Sequence, residues 1–270
     1  MVLALLLILV PTALAMGAML LVRRFLAPPG GFLHDMEPAD GIFGAAGAGL
    51  AVLLAFVIFT VIESYQAART GTGTGAVATQ QLYATAGYFP QPGRDRIRGE
   101  LVCYARSVIH DEWPDMAHGT ESTRVQYWVD ALDSTMQQQP VVGNKGGAML
   151  EHWFSVSQDR QEGRRSRLAE AKPFVPEFVW IVLVLMVLVV VAFQCLFADP
   201  GATAFGQSIA MASMAGTLIA ALTLIWVLDR PFNDRGAQIE PTRMQAALAV
   251  MAQEGTIPSL LPCDAEGAPR

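Results

Sequence analysis

The chain has 270 residues, of which 53% are hydrophobic and only 16% are charged, and its mean hydropathy is +0.37. Because a soluble domain usually carries about 25% charged residues, this composition indicates a membrane protein. The net charge of −6 excludes no class of partner by itself, but the sequence has no basic tract that would indicate nucleic acid binding. Cys103, Cys195 and Cys263 are far apart and odd in number, so the sequence predicts neither a disulfide framework nor a zinc site.

Four apolar segments are long enough to cross a bilayer as helices. A helix rises about 1.5 Å per residue, so a run of about 20 apolar residues spans the hydrocarbon core. A signal peptide is the alternative for the first run, but we expect a spanning helix, because no positive charge precedes the run and it continues past the cleavage-like residues 13–15. The chain is therefore predicted to be an all-α polytopic membrane protein with four transmembrane helices. The predicted spans cover residues 1–22, 41–64, 178–198 and 203–228.

The second span opens with small residues, becomes wholly apolar and meets its first charge at Glu63. Gly41, Ala45 and Gly49 recur at four-residue spacing, which places them on one face of a helix. Small residues let helix backbones approach closely in lipid. The pattern fits either an ordinary packed span or a helix that packs against copies of itself around an axis.

The large polar region, residues 66–172, repeats apolar residues at helical spacing and is predicted to be a cytoplasmic helical bundle. It separates a first transmembrane hairpin, residues 1–65, from a second, residues 173–230. Residues 231–270 are predicted to form a cytoplasmic C-terminal helix and a disordered tail. The glycine-rich residues 71–75 lack the G-K-[ST] ending of a phosphate-binding loop, so a flexible turn is expected there.

Lysine and arginine near the span ends predict the orientation. The loops on one side carry only Arg23 and Arg24. The side shared by the two termini and the polar domain carries Arg69, Arg160, Arg164, Arg165, Arg167, Lys172, Arg230, Arg235 and Arg243. We therefore expect a multi-pass protein of the cell membrane with both termini in the cytoplasm.

One cluster of histidine and carboxylate side chains could in principle support catalysis. His110, Asp111, Glu112 and His118 do not have the H-E-x-x-H spacing, so a solvated helix end is the simpler interpretation. A membrane enzyme would depend on this cluster alone. The sequence predicts no catalytic residue, no metal site and no cofactor.

The predicted spans carry no ionisable residue at membrane depth, because Glu63 and Glu177 lie at their edges. Proton pumps and many coupled transporters need such a charge, whereas a passive pore with an apolar constriction does not. Several hydroxyl groups in the spans fit either a pore lining or hydrogen bonds to the backbone of a neighbouring helix. They belong to Thr60, Ser208, Ser213, Thr217 and Thr223.

Four segments, taken together and in order, resemble the bestrophin-like family of bacterial membrane proteins, relatives of the bestrophin channels. They are GLAVLLAFVIFTVIESYQAAR at 49–69, YARSVIHDEWPDM at 104–116, RRSRLAEAKPFVPEFVW at 164–180 and LDRPFNDRGAQIEP at 228–241. The motif residues in the last three are Asp111, Glu112, Trp113, Pro114, Arg167, Pro176, Asp229, Pro231 and Phe232.

The resemblance implies several subunits around one pore, five in the bestrophins proper, with the second helix lining an apolar neck. The family's spacing carries over to Leu50, Leu54 and Ile58, while a shift of one residue selects Ala51, Ala55 and Phe59 instead. The apolar neck itself would not select the sign of the ion. Glu63 would either form a ring of carboxylates at the pore mouth, which favours cations, or be a solvated interfacial charge. The implied partners are further copies of the chain, small inorganic ions and the lipid bilayer.

One departure from the animal bestrophins concerns calcium. Their Pro-Phe segment is followed by an acidic run, whereas residues 233–236 here carry a single carboxylate, Asp234. Calcium gating is not expected, because Ca²⁺ takes six to eight oxygens. The sequence thus predicts a passive homo-oligomeric ion channel. The alternative is a non-conducting membrane scaffold or sensor whose helical domain binds a partner.

Overall fold

The computed structural model describes residues 2–27, 37–140, 143–201, 203–253 and 261–270, with the backbone alone at 37–40 and 143–145. The described residues form helices and no strand. The α-helices are α1 Val2–Phe25, α2 Glu37–Ala86, α3 Gly93–Ser107, α4 Trp113–Ala117, α5 Thr123–Gln137, α6 Gly143–Glu170, α7 Glu177–Cys195, α8 Ala204–Leu228 and α9 Thr242–Gln253. A π-helical turn, Val108–Glu112, joins α3 to α4.

Four of these helices are long and apolar enough to cross a membrane: α1, α2 from Gly41 onward, α7 and α8. The predicted all-α class with four transmembrane helices is confirmed. The chain divides into two compact units. The first unit comprises Met1–Glu63, Phe174–Asp229 and Arg235–Ala237, and the second comprises Ser64–Pro173, Arg230–Asp234 and Gln238–Arg270.

The first unit holds the apolar helices. Ala15 and Met19 of α1 pack against Met211 and Ala215 of α8. Gly216 of α8 permits a close approach of α1, since a Cβ there would lie 3.4 Å from the Thr12 hydroxyl oxygen. Most of the remaining apolar surface of these helices is exposed, as expected for side chains that face lipid.

Arg23, an arginine on the side predicted to face away from the cytoplasm, has a structural role within this unit. Its guanidinium donates to the Pro200 carbonyl (3.0 Å) and to the Gln207 side chain (3.2 Å). The end of α1 is thereby tied to the connection between α7 and α8, so part of its charge is engaged locally.

The second unit has a conventional hydrophobic core made by α3, α5, α9 and the second part of α2. Leu101 and Tyr104 of α3, Trp128 of α5 and Met244 of α9 are buried in one cluster. Ser122 caps α5, with its hydroxyl oxygen accepting from the Val125 N–H. The apolar residues at helical spacing in this part of the chain therefore pack together as the core of a helical bundle.

The prediction of a flexible turn at residues 71–75 is wrong, because α2 continues through them to Ala86. The glycines are explained by packing within the second unit. A Cβ at Gly163 of α6 would lie 2.4 Å from the Gly75 backbone nitrogen and 2.8 Å from the Gly71 carbonyl oxygen. Glycine is needed where the two helix backbones cross this closely, which outweighs its low helix propensity.

Two predictions about the C-terminal end are also wrong. A disulfide joins Cys103 of α3 to Cys263, and both residues are buried. The last residues, 261–270, are packed and not disordered, because the Gly267 carbonyl accepts from Trp128 Nε1 (2.8 Å) and from the Ser107 hydroxyl (3.0 Å). The other part of the predicted tail, residues 254–260, lies outside the described residues.

Candidate functional site

The apolar part of α2 presents two faces with different surroundings. Leu50 and Leu54 are 0% and 4% exposed and pack inside the first unit against Val61, Leu183 and Ile225. Ile58 is partly buried against the same cluster. Leu50 and Leu54 therefore fill the interior of the first unit, and Ile58 lies at the edge of the same cluster.

The opposite face of α2 is exposed and has no partner among the described residues of the chain. Val52, Phe56 and Phe59 are 71%, 66% and 59% exposed and follow one another at spacings of four and three residues. Ala51 and Ala55 are exposed beside them, and Glu63 is exposed one helical turn beyond Phe59. We call Val52, Phe56, Phe59 and Glu63 the outer stripe of α2.

The glycines that precede the outer stripe also make no close contact with the described residues of other elements. A Cβ at Gly41, Gly44, Gly47 or Gly49 would meet no heavy atom within 4 Å. Their lack of side chains is not explained by packing within the described residues of this chain.

The hydroxyl groups in the spans are hydrogen-bonded to the backbone of their own helices. Thr60, Ser208, Ser213, Thr217 and Thr223 each donate to a carbonyl three or four residues earlier in their own helix, at 2.7–2.9 Å. Neither of the two predicted roles, pore lining or bonding to a neighbouring helix, is needed to satisfy them.

The motif residues at 111–114 lie where the helix becomes π-helical. This wider turn leaves His110 exposed and turns Glu112 into the core of the second unit. The Asp111 carboxylate accepts from Arg124 (2.7 Å) at the edge of the unit. Burial is the largest influence on Asp111 and raises its pKa, although Arg124 partly offsets it.

Glu112 is fully buried and accepts from two arginines of α6. Its Oε1 lies 2.6 Å from Arg164 Nε, and its Oε2 lies 2.9 Å from Arg167 Nη2. Burial, the largest influence, lowers the pKa of Arg167, but Glu112 and Tyr104 together raise it above its ordinary value. Arg167 is therefore held as a cation in the core.

Trp113 joins this turn to the C-terminal segment of the second unit. Its Nε1 donates to the Ile239 carbonyl (2.8 Å), and its ring meets Phe232 edge-on with 5.7 Å between centroids. The Pro231 carbonyl accepts from the Ile239 N–H (2.8 Å). These contacts give Trp113, Pro231 and Phe232 a structural role.

The remaining motif residues lie in the first unit and at the surface. Pro176 sets the extended backbone immediately before α7, and the Asp229 carboxylate accepts from the Val175 N–H (2.8 Å). Pro114 is exposed, and its carbonyl lies 3.0 Å from Nδ1 of the exposed His118. The described residues contain no group of histidine, cysteine or carboxylate side chains that could hold a metal ion.

Sequence reasoning missed the burial of the α6 arginines. Arg160, Arg164 and Arg167 are among the charges from which the orientation is predicted, yet all three are buried. A signal was present, because they continue at helical spacing the buried positions Trp153 and Val156.

Comparison with known proteins agrees with this architecture. The chain is similar to a bacterial bestrophin homologue from Klebsiella pneumoniae, solved as a single-substitution variant, with 15% identity and a TM-score of 0.63 over 94% of this chain and 99% of that one. A second variant of the homologue gives 16% identity and a TM-score of 0.60 over 93% and 96%. A crystal structure described as a membrane protein gives 14% identity and a TM-score of 0.65 over 94% and 99%.

At these identities the structural likeness shows the fold alone. No curated protein matches the chain. The Bestrophin-like domain, however, matches residues 9–244 of this sequence. The chain belongs to the Bestrophin-like family.

Proposed function

We propose that the chain is one subunit of a passive homo-oligomeric ion channel and that the outer stripe of α2 lines its neck. The observation that carries the proposal is the unpartnered apolar face of Val52, Phe56 and Phe59, which ends in Glu63. The homologues' name, bestrophin, and the family membership support a channel.

The burial of Leu50 and Leu54 supports the second of the two neck alignments, the one that contains Ala51, Ala55 and Phe59. Side chains inside the subunit core cannot also face an axial pore without unpacking that core. A ring of Phe59 side chains would be an apolar constriction that can gate by dewetting.

The glycines that precede the stripe support contact between copies of α2. Transmembrane helices associate in lipid through interfaces rich in small residues, which let the backbones approach closely. Gly41, Gly44 and Gly49 have open space around their Cβ positions among the described residues of the single chain. A lipid-facing helix would gain nothing from these glycines, whose helix propensity is about 1 kcal/mol below that of alanine.

Cysteine cross-linking tests this packing in the membrane. In a Cys195→Ser background, Phe59→Cys is expected to form inter-subunit disulfides under mild oxidation. Ile181→Cys on α7, which is 68% exposed, and the buried Leu54→Cys are the controls and should not cross-link. Cross-linking through Leu54→Cys but not Phe59→Cys would contradict the proposed neck.

For orientation we propose that the second unit and both termini lie in the cytoplasm, because most lysines and arginines near the span ends are on that side. The disulfide between Cys103 and Cys263 argues for the opposite side, since disulfides are rare in the cytosol. Reporter fusions at the C-terminus decide between them. A fluorescent fusion that matures only in the cytoplasm supports the proposal, and an active periplasmic phosphatase fusion reverses it.

A further inference from the structure

One face of α6 carries three buried arginines in the second unit. Arg160, Arg164 and Arg167 are 1%, 8% and 0% exposed and are spaced four and three residues apart. The helix therefore presents three guanidinium groups to the core on consecutive turns. Arginine is among the residues that are almost never fully buried unless they are paired.

The described residues offer these arginines too little negative charge. Glu112 is the one carboxylate within ion-pair distance of them, and its two oxygens are taken by Arg164 and Arg167. Arg160 forms no salt bridge with a described residue, and its Nε and Nη1 have no hydrogen-bond partner among them. One carboxylate against three guanidiniums leaves an excess of buried positive charge.

Several donors in this cluster have no acceptor. Arg160 and Arg167 each bury an Nε and an Nη1 that have no acceptor among the described residues. The buried Tyr104 hydroxyl interacts with the Arg167 guanidinium, but its own O–H has no acceptor among them either. One face of each guanidinium is occupied, because Arg160 lies over the Tyr104 ring at 4.9 Å and Arg167 lies over the Trp113 ring at 5.5 Å. Ring stacking leaves the in-plane N–H groups without partners.

The two arginines converge on Tyr104. Arg160 stacks on its ring, while Tyr104 lies close enough to Arg167 to contribute to its raised pKa. Both arginines also flank Gly75 of α2. A Cβ there would lie 2.6 Å from Arg167 Nη1 and 3.9 Å from the Arg160 carbonyl oxygen. The unpaired donors therefore belong to one cluster.

We propose that the second unit binds a small inorganic monovalent anion of the chloride class through the unpaired N–H groups of Arg160 and Arg167 and the Tyr104 hydroxyl. A buried donor without an acceptor is costly, and so is a buried charge without a counter-charge. Water could accept the hydrogen bonds but would leave the positive charge uncompensated. A small anion supplies both a hydrogen-bond acceptor and a negative charge. Its small size suits a cluster whose donor atoms are buried.

The bound anion has a structural role inside a single subunit, independent of the proposed pore. It joins α6 to α3 beside the crossing of α6 and α2. Because it binds the folded state only, chloride raises the stability of the protein in proportion to the logarithm of its concentration.

Thermal unfolding of the purified full-length protein tests the proposal. Chloride and bromide are compared with gluconate at constant ionic strength, for the wild type, Arg160→Gln and the control Arg165→Gln. Arg165 is exposed on the same helix. At a large excess of halide over its dissociation constant, the wild type and Arg165→Gln should gain roughly 5 °C in Tm, and Arg160→Gln should gain little.

An equal halide effect in the wild type and Arg160→Gln, or no effect in either, overturns the proposal in favour of ordered water. If Arg160→Gln fails to fold, anomalous scattering from crystals grown in bromide replaces it. A bromide peak between the side chains of Arg160 and Arg167 supports the site, and its absence overturns it. Channel currents play no part in this test, so its outcome and that of the proposed function are separate.

Discussion

Glu112 Oε2 lies 2.9 Å from Arg167 Nη2, and both side chains are completely buried. This pair connects the π-helical turn that carries the Asp-Glu-Trp-Pro motif to the arginine face of α6. Removing one partner of such a pair leaves the other charge buried and unpaired, which costs more than the pair itself contributes.

Glu112→Gln should therefore destabilise the protein by about 3–5 kcal/mol, because it leaves three buried guanidiniums without a carboxylate. Asp111→Asn is the matched control one position earlier. Its pair with Arg124 is part-exposed, so its loss should cost about 1 kcal/mol or less. Denaturant unfolding of the two variants gives the comparison. Equal losses would mean that the Glu112 cluster is not the anchor described here.

Gly163→Ala should separate α2 from α6, because the new Cβ would lie 2.4 Å from a backbone atom that cannot move alone. We expect a loss of about 1–3 kcal/mol or more. Gly73→Ala lies on the same stretch of α2 with open space around its Cβ position, so it should be neutral or stabilising by up to about 1 kcal/mol. Melting temperatures of the two variants test the glycine crossing. A stable Gly163→Ala protein would contradict it.

Glu100 gives a test of pH dependence outside the membrane. Burial is the largest influence on it and raises its pKa, despite hydrogen bonds from Thr135 (2.8 Å) and Arg96 (3.1 Å). The folded state therefore holds a proton that the unfolded state has already lost, so stability falls as the pH rises from the ordinary carboxyl pKa through the raised one.

Glu100→Gln removes this penalty while retaining an acceptor for Thr135. The variant should be more stable than the wild type at neutral pH, with the difference vanishing in acid. Melting temperatures across the acidic range measure it. A variant that is less stable at neutral pH would show that the charged form is favoured instead.

Cys263→Ser should release residues 261–270 from the second unit. The disulfide closes a loop with a sequence separation of 160 residues, so its loss should cost about 2–5 kcal/mol. The hydrogen bonds of Gly267 and the turn held by the Asp264 carboxylate should then exchange faster. Hydrogen exchange of the tail is the measurement, and Cys195→Ser is the control that should leave it protected. Equal protection in both variants would show that the tail packs without the disulfide.

The two faces of α2 should respond differently to truncation. Phe59→Ala should raise conductance by widening the neck, whereas Leu54→Ala should cost about 2–5 kcal/mol of stability with unchanged conductance. Conductance and melting temperature measured for each variant separate the two effects. A higher conductance in Leu54→Ala alone would restore the first alignment of the neck.

The sequence was sufficient for the spans, because each depends on a local apolar run whose length is matched to the bilayer. It could not distinguish Leu50 from Phe59 as a neck residue, since both faces of α2 are apolar and only the partners Leu183 and Ile225 show which one is internal. The continuation of α2 through Gly71 and Gly75 depends on Gly163, about ninety residues away in sequence. Helix propensity depends on the local sequence only, so it cannot predict that contact.

The charged core and the tail were missed for the same reason. In the sequence Arg167 looks like an interfacial charge, because its partner Glu112 is distant in the chain. Cys103 likewise looks like a lone cysteine, because its partner Cys263 is distant. Both pairings are long-range. They become visible only when the helices are assembled.

The most direct test of the account is single-channel recording of the purified protein in planar bilayers under a KCl gradient. We expect discrete currents that reverse near the potassium potential, because the proposed ring of Glu63 at the pore mouth would favour cations. Glu63→Gln should then move the reversal potential toward zero. Currents that reverse near the chloride potential would refute the role of Glu63. Silence from a well-assembled oligomer would contradict the channel itself and favour a membrane scaffold.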